Sequence, residues 1–302
     1  MQLRQALRAG VTALEENHIP SARLAAELLL MHLLGRDRAY LYTHPEFDLP
    51  EDALARYREL VAERATGKPT QYITGHQEFW GLDFEVTPDV LIPRPETEHL
   101  VEAVLDLWRA SGPGREDRSG EQSAGPRLVD VGAGSGCIAL ALASELPQAQ
   151  ILATDLSRPA LEVARRNARR LDLAERVWFV EMDLLTAVTG RAGFDFVVSN
   201  PPYVGSQEID SVQREVREFE PRLAWGGSGS GDGVYQRLFP QVLAVLKPGG
   251  YVAVEVGYNQ AARVLNLLKA GWTEAEARPD LAGIPRVVVA RKAEAVPSKA
   301  AP

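Results

Sequence analysis

The sequence predicts an α/β protein: a parallel sheet with helices on both faces, preceded by a small helical region. Three observations predict it. From residue 128 onward, short apolar runs alternate with helix-like stretches, the pattern of strands buried on both sides by helices. The first of those runs leads straight into a glycine-rich turn, Gly132-Ala133-Gly134-Ser135-Gly136, and then into a helical stretch. Residues 1 to about 66, in contrast, carry apolar residues that recur at helical spacing.

Taken in order, Leu3, Leu7, Val11 and Leu14 mark a first helix, Leu24, Leu28 and Met31 a second, and Leu54, Tyr57 and Val61 a third. Ser21 is placed to cap the second and Pro50 to begin the third. Phe79-Trp80-Gly81-Leu82-Asp83-Phe84-Glu85-Val86 reads as a hairpin about a glycine turn. A proline-punctuated segment, Pro88 to Pro95, leads to a helix over 96–110 with Leu100, Val101, Val104 and Leu107 on one face. Residues 111–127, rich in Gly, Ser and charge, read as a flexible loop. The expected strands are Arg127–Asp130, Gln150–Thr154, Val177–Val180, Phe194–Ser199, Tyr251–Val256 and Arg286–Ala290, with a helix from Cys137 to Leu146 after the first. The tail beyond Arg291 is small, polar and proline-bearing, and is expected to be disordered.

The 302 residues suffice for about two domains, with 45% apolar and 25% charged residues, the balance of a soluble globular protein. No apolar run approaches the ~18 residues of a membrane span. The start, Met-Gln-Leu-Arg-Gln, lacks the apolar core of a secretory signal. The single cysteine, Cys137, excludes an internal disulfide framework and any multi-cysteine metal site. A cytoplasmic protein without a bound metal is expected. The net charge of −8 counts against a dedicated nucleic-acid binder. No histidine lies beyond His99, so chemistry in the C-terminal two-thirds does not rely on one from that region.

The glycine turn is spaced G-x-G-x-G, with Cys137 where a dinucleotide fingerprint has its third glycine or alanine. That argues against a pyrophosphate. Asp130, ahead of the turn, suits a ligand carrying positive charge. Asp155 ends the second strand about 20 residues after the first glycine, placed for ribose hydroxyls. Asp183 follows the third strand, placed for an adenine amino group. Together they specify an adenosyl ligand without phosphates, bound where open α/β sheets bind ligands. On these residues, the stretch 128–291 resembles the class I S-adenosylmethionine-dependent methyltransferases. The resemblance implies a Rossmann-like domain with a mostly parallel seven-stranded sheet. It also implies S-adenosylmethionine as cofactor and S-adenosylhomocysteine as product. The binding set is then Asp130, Gly132, Ala133, Gly134, Ser135, Gly136, Asp155, Leu156, Asp183, Leu184 and Asn200.

After the fourth strand comes Asn200-Pro201-Pro202-Tyr203. A planar NH₂ is a poor nucleophile because its lone pair is delocalised. The Asn200 side-chain oxygen and the Pro201 carbonyl, held by two prolines, offer two acceptors for its N–H bonds, and Tyr203 offers a flat ring. Such a site works by positioning and preorganised electrostatics, without a strong base. The motif is similar to the (D/N)PPY signature of amino-methyltransferases, which act on adenine, cytosine or glutamine amides.

Further segments narrow the choice. Pro69-Thr70-Gln71-Tyr72-Ile73-Thr74-Gly75, Glu78-Phe79-Trp80-Gly81, Leu91-Ile92-Pro93-Arg94-Pro95-Glu96-Thr97-Glu98, Glu220-Pro221-Arg222-Leu223-Ala224 and Leu281-Ala282-Gly283-Ile284-Pro285-Arg286 resemble the release factor glutamine methyltransferases (the PrmC/HemK family) over nearly the whole chain. The resemblance implies methylation of the glutamine N5 in the Gly-Gly-Gln motif of bacterial class 1 peptide chain release factors. It implies a helical docking domain (1–75), a hairpin and linker (76–95), a methyltransferase domain (96–291) and a tail (292–302). It sets Arg94, Thr97 and Glu98 against the cofactor and target pocket, although Thr97 also suits a helix cap. A monomer is expected, acting on a protein, with no stable nucleic-acid partner and no membrane. The alternative is a nucleic-acid adenine N-methyltransferase using the same motif. The loop 226–233 and the linker 111–127 look longer than the family's, and Glu255, ending the fifth strand, reads equally as structural or catalytic.

Overall fold

The computed structural model describes residues 1–111, 125–188, 193–226 and 229–294. Its chain divides into two compact units.

The first unit holds Met1–His76 together with Gln213–Glu220. Its helices are α1 (Leu3–Glu16), α2 (Ala22–Leu34), α3 (Arg38–Thr43), α4 (Glu51–Ala65) and α5 (Thr70–Thr74). The apolar stripes converge as expected: Leu3, Leu14, Leu29, Leu30 and Leu60 are buried together. Ser21 does stand at the start of α2, but its backbone is left-handed (φ 51°) and its side chain makes no capping bond. Capping is done instead at α3, where Asp37 accepts from the Tyr40 N–H at 2.8 Å. Pro50 precedes α4 as expected, and Glu51 and Asp52 put negative charge in its first turn, where the helix dipole favours it. The Gln213–Glu220 segment is tied into this unit by a partly buried ion pair. Arg64, almost wholly buried, pairs with Glu215 and also donates to the Lys68 carbonyl at 3.0 Å. A continuous domain over 96–291 does not anticipate this excursion.

The second unit begins at Gln77, within a hairpin of β1 (His76–Phe79) and β2 (Leu82–Glu85). Trp80 and Gly81 between them both have positive φ, 54° and 69°, as a tight primed turn requires. Phe79 and Phe84 are buried edge-on, 6.1 Å apart. A short 3₁₀ turn, Pro95–Thr97, leads into α6 (Glu98–Ala110). The rest alternates: β3 (Arg127–Val131), α7 (Cys137–Glu145), β4 (Gln150–Asp155), α8 (Arg158–Arg170), β5 (Val177–Glu181), β6 (Phe194–Ser199), α9 (Arg214–Phe219), α10 (Arg222–Trp225), α11 (Gly233–Val245), β7 (Leu246–Glu255), α12 (Ala261–Leu267), β8 (Trp272–Pro279) and β9 (Pro285–Lys292). Of these, α9 is the helix of the Gln213–Glu220 segment and belongs to the first unit.

The seven strands lie in the order β5-β4-β3-β6-β7-β9-β8. Strands β3 to β7 pair in parallel and β9 pairs antiparallel with both β7 and β8. One face is buried under α6 and α7, the other under α11 and α12. The sheet is the mostly parallel seven-stranded one that the resemblance implies, with β9 antiparallel to both its neighbours, but one strand lies outside the expected apolar runs. Strand β8 was missed because its segment Thr-Glu-Ala-Glu-Ala-Arg is largely exposed at the sheet edge, where polar side chains replace the apolar run that marks a buried strand. The order in which strands are added to the sheet reverses between β3 and β6, which makes their carboxyl ends the ligand-binding crevice of such a sheet. Among the described residues, no helix is long and apolar enough to cross a membrane and no cluster of metal-ligating side chains occurs. Most of the loop 111–127, the centre of the loop 226–233 and the tail beyond Glu294 lie outside the described residues.

Candidate active site

At the reversal point a cavity of about 520 Å³ opens within the second unit, the size of a small-molecule site. Gly132, Ala133, Gly134 and Ser135 form one wall. The N–H groups of Gly132 and Ala133 both donate to the Thr154 carbonyl, at 2.8 and 2.9 Å. The loop turns by left-handed backbone at Gly132, Gly134 and Gly136 (φ 79°, 55° and 83°), which only glycine adopts without strain. Gly136 does not reach the cavity. A Cβ there would stand 3.2 Å from the Ala164 Cβ, so its role is the close packing of α7 against α8.

Asp155 lies on the cavity wall beside Leu156. One carboxylate oxygen accepts from Gly134 N and the other from Ser157 N, both at 2.8 Å. Burial raises its pKa from the ordinary carboxylate value. Asp183 and Leu184 line the cavity further round. Asp183 forms an ion pair with Arg237 of α11. One turn on, Gln241 accepts from Leu185 N at 3.0 Å, so α11 holds the loop after β5 by two polar side chains. Arg237 and Gln241 were not anticipated. Their signal was an i, i+4 polar pair on a largely apolar helix.

Asp130 is the site residue whose placement differs most from expectation. It is fully buried and does not line the cavity. Its Oδ2 accepts from Ala139 N at 3.1 Å, capping the first turn of α7, whose own N-cap residue, Gly136, has no side chain to do so. Burial pushes its pKa up to about 7. Its Oδ1 is buried with no hydrogen-bond partner among the described residues.

The Asn200-Pro201-Pro202-Tyr203 segment follows β6, whose last residue, Ser199, ties its hydroxyl to the Val131 carbonyl of β3 at 2.7 Å. Asn200 and Pro202 line the cavity; Pro201 and Tyr203 do not. The side chains form a chain of bonds. Asn200 Nδ2 donates to Thr97 Oγ1 at 3.1 Å, and Thr97 Oγ1 donates to Glu255 Oε2 at 2.6 Å. Tyr203 donates its hydroxyl to Glu255 Oε1 at 3.1 Å. Tyr235 donates to the Glu255 carbonyl at 2.7 Å, and Gln260 Nε2 donates to the Tyr203 carbonyl at 2.8 Å. Glu255 is buried and its pKa is pushed up to about 7 by that burial. Glu255 is therefore no isolated strand-end carboxylate. Thr97 sits at the first-cap position of α6 but makes no capping bond, because its hydroxyl is committed to Glu255.

Arg94 and Glu98 do not line the cavity. Glu98 accepts from Trp80 N at 2.7 Å and so holds the hairpin turn. The described ends of the 226–233 loop pack against the backbone of the motif. A Cβ on Gly226 would stand 3.5 Å from the Pro202 carbonyl carbon, and beside it Val204 N donates to the Trp225 carbonyl at 3.1 Å. Gly231 approaches so closely that a Cβ would stand 2.3 Å from the Tyr203 carbonyl.

These residues fit an adenosyl ligand bearing an ammonium and a sulfonium. The glycine cradle and the carboxylates of Asp155 and Asp183 line one cavity, and the buried Asp130 at the head of the same turn holds an oxygen with no donor among the described residues. Negative groups in a low-dielectric wall attract positive charge strongly.

Comparison with known proteins bears on the same regions. The family model described as the PrmC N-terminal domain matches residues 5–75, and that described as the methyltransferase small domain matches residues 120–230. A release factor glutamine methyltransferase of Koribacter versatilis is 51% identical over 292 residues, covering 97% of this chain and 99% of that protein. One of Nitratidesulfovibrio vulgaris is 40% identical, covering 95% and 94%. Among solved structures, the hMettl16 catalytic domain in complex with a MAT2A 3′UTR hairpin superposes with a TM-score of 0.55 at 18% identity, over 79% of this chain and 83% of that one. That likeness concerns the fold.

Proposed function

The chain belongs to the release factor glutamine methyltransferases, and from that premise we propose that it methylates N5 of the glutamine in the Gly-Gly-Gln motif of class 1 peptide chain release factors, with S-adenosylmethionine as donor. The donor supplies an electrophilic methyl group on a sulfonium. The residues of this chain hold both partners in line. Gly132 to Ser135 and Asp155 bind the donor, and Asp183 and Leu184 border its adenine.

The observation that carries the reading is the Asn200 amide. Its Nδ2 is taken up by Thr97, and no hydrogen bond among the described residues uses its Oδ1. That oxygen and the Pro201 carbonyl accept the two N–H bonds of the target amide. So held, the nitrogen lone pair is aimed at the methyl carbon. With the donor bound, its methyl would pass in line to that nitrogen, the N–C bond forming as the S–C bond breaks and the electron pair leaving with the thioether, and the proton left on the alkylated nitrogen would pass to water. Orientation and electrostatic preorganisation account for the rate. Tyr203, its hydroxyl bound to Glu255 and its ring half-buried, supports the segment from behind. The helical region 1–75 docks the release factor, and the reaction takes place in the cytoplasm. The adenine alternative has no support from relatives named for release factors.

The test is transfer to unmodified release factor followed by peptide fragmentation mass spectrometry. A single methyl on the Gly-Gly-Gln glutamine is expected, abolished by Asn200→Ala while cofactor affinity stays within a few-fold. Methyl on nucleic acid, or turnover surviving that substitution, would contradict the reading.

A further inference from the structure

We propose that Glu255 and Thr97 are positioning residues that set which end of the Asn200 amide faces the target nitrogen; the inference rests on the reading above. An asparagine amide presents an acceptor at one end and two donors at the other, and only its hydrogen-bond network decides between them. Thr97 has one hydroxyl proton, and it is committed to Glu255 Oε2 at 2.6 Å. Its oxygen then offers Asn200 lone pairs alone. Asn200, 3.1 Å away, must turn its NH₂ toward Thr97 and its Oδ1 away. Tyr203 donates to the other carboxylate oxygen, so an ionised Glu255 accepts from both neighbours and organises both ends of the motif.

Protonating Glu255 reverses this order. A proton on Oε2 donates to Thr97, and the Thr97 proton then points at Asn200. The amide rotates to accept it and turns N–H groups toward the N–H groups of the target, where no acceptor remains. The carboxyl is surrounded by few charges that would pin its state. Glu96 beside Thr97 pushes its pKa up and Arg286 on β9 pulls it down. Cys137 on α7 feels its charge, and its own thiol stays protonated, pushed up to about 12 by burial. Tyr203 and Tyr235 are neutral, each held well above the ordinary tyrosine value, and Arg94 acts on Tyr203. With burial holding Glu255 up to about 7, the change of state falls within an assayable range.

The experiment measures kcat against pH at saturating donor and release factor. For the unsubstituted chain, kcat is expected to fall about tenfold per pH unit below about pH 7. Glu255→Gln removes that acid limb. Thr97→Val, which keeps the volume and deletes the hydroxyl, lowers kcat by about 30-fold or more, and Thr97→Ser restores it to within a few-fold. Donor affinity and the KM for release factor change little, so loss of folding or of binding is told apart. In ¹⁵N-labelled protein the Asn200 side-chain amide resonances shift with pH around 7, and in Glu255→Gln they do not. An acid limb that persists in Glu255→Gln, or a Thr97→Val enzyme with unchanged kcat, overturns the inference alone. No methyl transfer to release factor by the unsubstituted chain overturns the functional reading and this inference with it.

Discussion

Asp130 illustrates how a single side chain serves the helix and the ligand together. Its Oδ2 caps α7 through Ala139 N, while its charge lies buried behind the glycine loop. The two roles separate by substitution. Asp130→Asn keeps an acceptor for Ala139 and removes the charge. It is expected to fold normally and to bind the cationic donor about tenfold more weakly, a change of about 1.4 kcal/mol, measurable by calorimetry. Asp130→Ala loses the cap as well, at a further cost of about 1 kcal/mol in denaturant unfolding. A donor affinity unchanged in Asp130→Asn would leave Asp130 with the capping role alone. This division was only half legible in the sequence. The glycine loop and Asp155 were readable because their chemistry is local: adjacent residues make the turn and bind it. That Asp130 turns toward Ala139, nine residues on, depends on where α7 begins in space. Glu255 was harder still, since its partners Thr97 and Tyr203 come from distant parts of the chain.

At the scale of elements, the hairpin β1–β2 and helix α6 form one device. The turn needs positive φ at Trp80, an uncommon state for a bulky residue. Glu98, at the start of α6, holds it by accepting the Trp80 N–H, and the Trp80 indole donates to Glu145 at 2.9 Å. We therefore expect Glu98 to act on stability rather than on substrate. Glu98→Ala should cost about 1–2 kcal/mol, the value of a hydrogen bond to a charged group that is half-buried. Glu98→Gln, which keeps an acceptor, should recover most of it. Methyl transfer per folded molecule should stay near that of the unsubstituted chain in both. A stable Glu98→Ala protein with a raised KM for release factor would return Glu98 to the target pocket. Elements with apolar runs were readable from the sequence, as β6 shows by starting and ending where its run Phe-Asp-Phe-Val-Val-Ser does. Strand β8 was not, because its stability comes from pairing with β9 rather than from burial of its own side chains.

For the whole molecule, the concentration of buried acid at one site has a thermodynamic consequence. Asp130 and Glu255 each titrate near 7 in the folded chain, and Asp155 is raised as well, all because burial disfavours the charged form. An unfolded chain releases those protons near pH 4. Between about pH 4 and 7 the folded state therefore binds more protons than the unfolded state, and stability falls as pH rises through that window. Glu27 and Asp280, held below the ordinary carboxylate value by their donors, act in the opposite direction but at lower pH. The ligand-free protein should thus lose several degrees of Tm between pH 5 and pH 8, and the double substitution Asp130→Asn with Glu255→Gln should flatten that slope. A cationic donor favours the ionised carboxyls, so its stabilising effect at fixed concentration should grow over the same interval. A Tm that rises steadily from pH 5 to pH 8 without ligand would mean that these carboxyls are ionised in the folded chain well below pH 7, and that the site holds its negative charge at no cost to the fold.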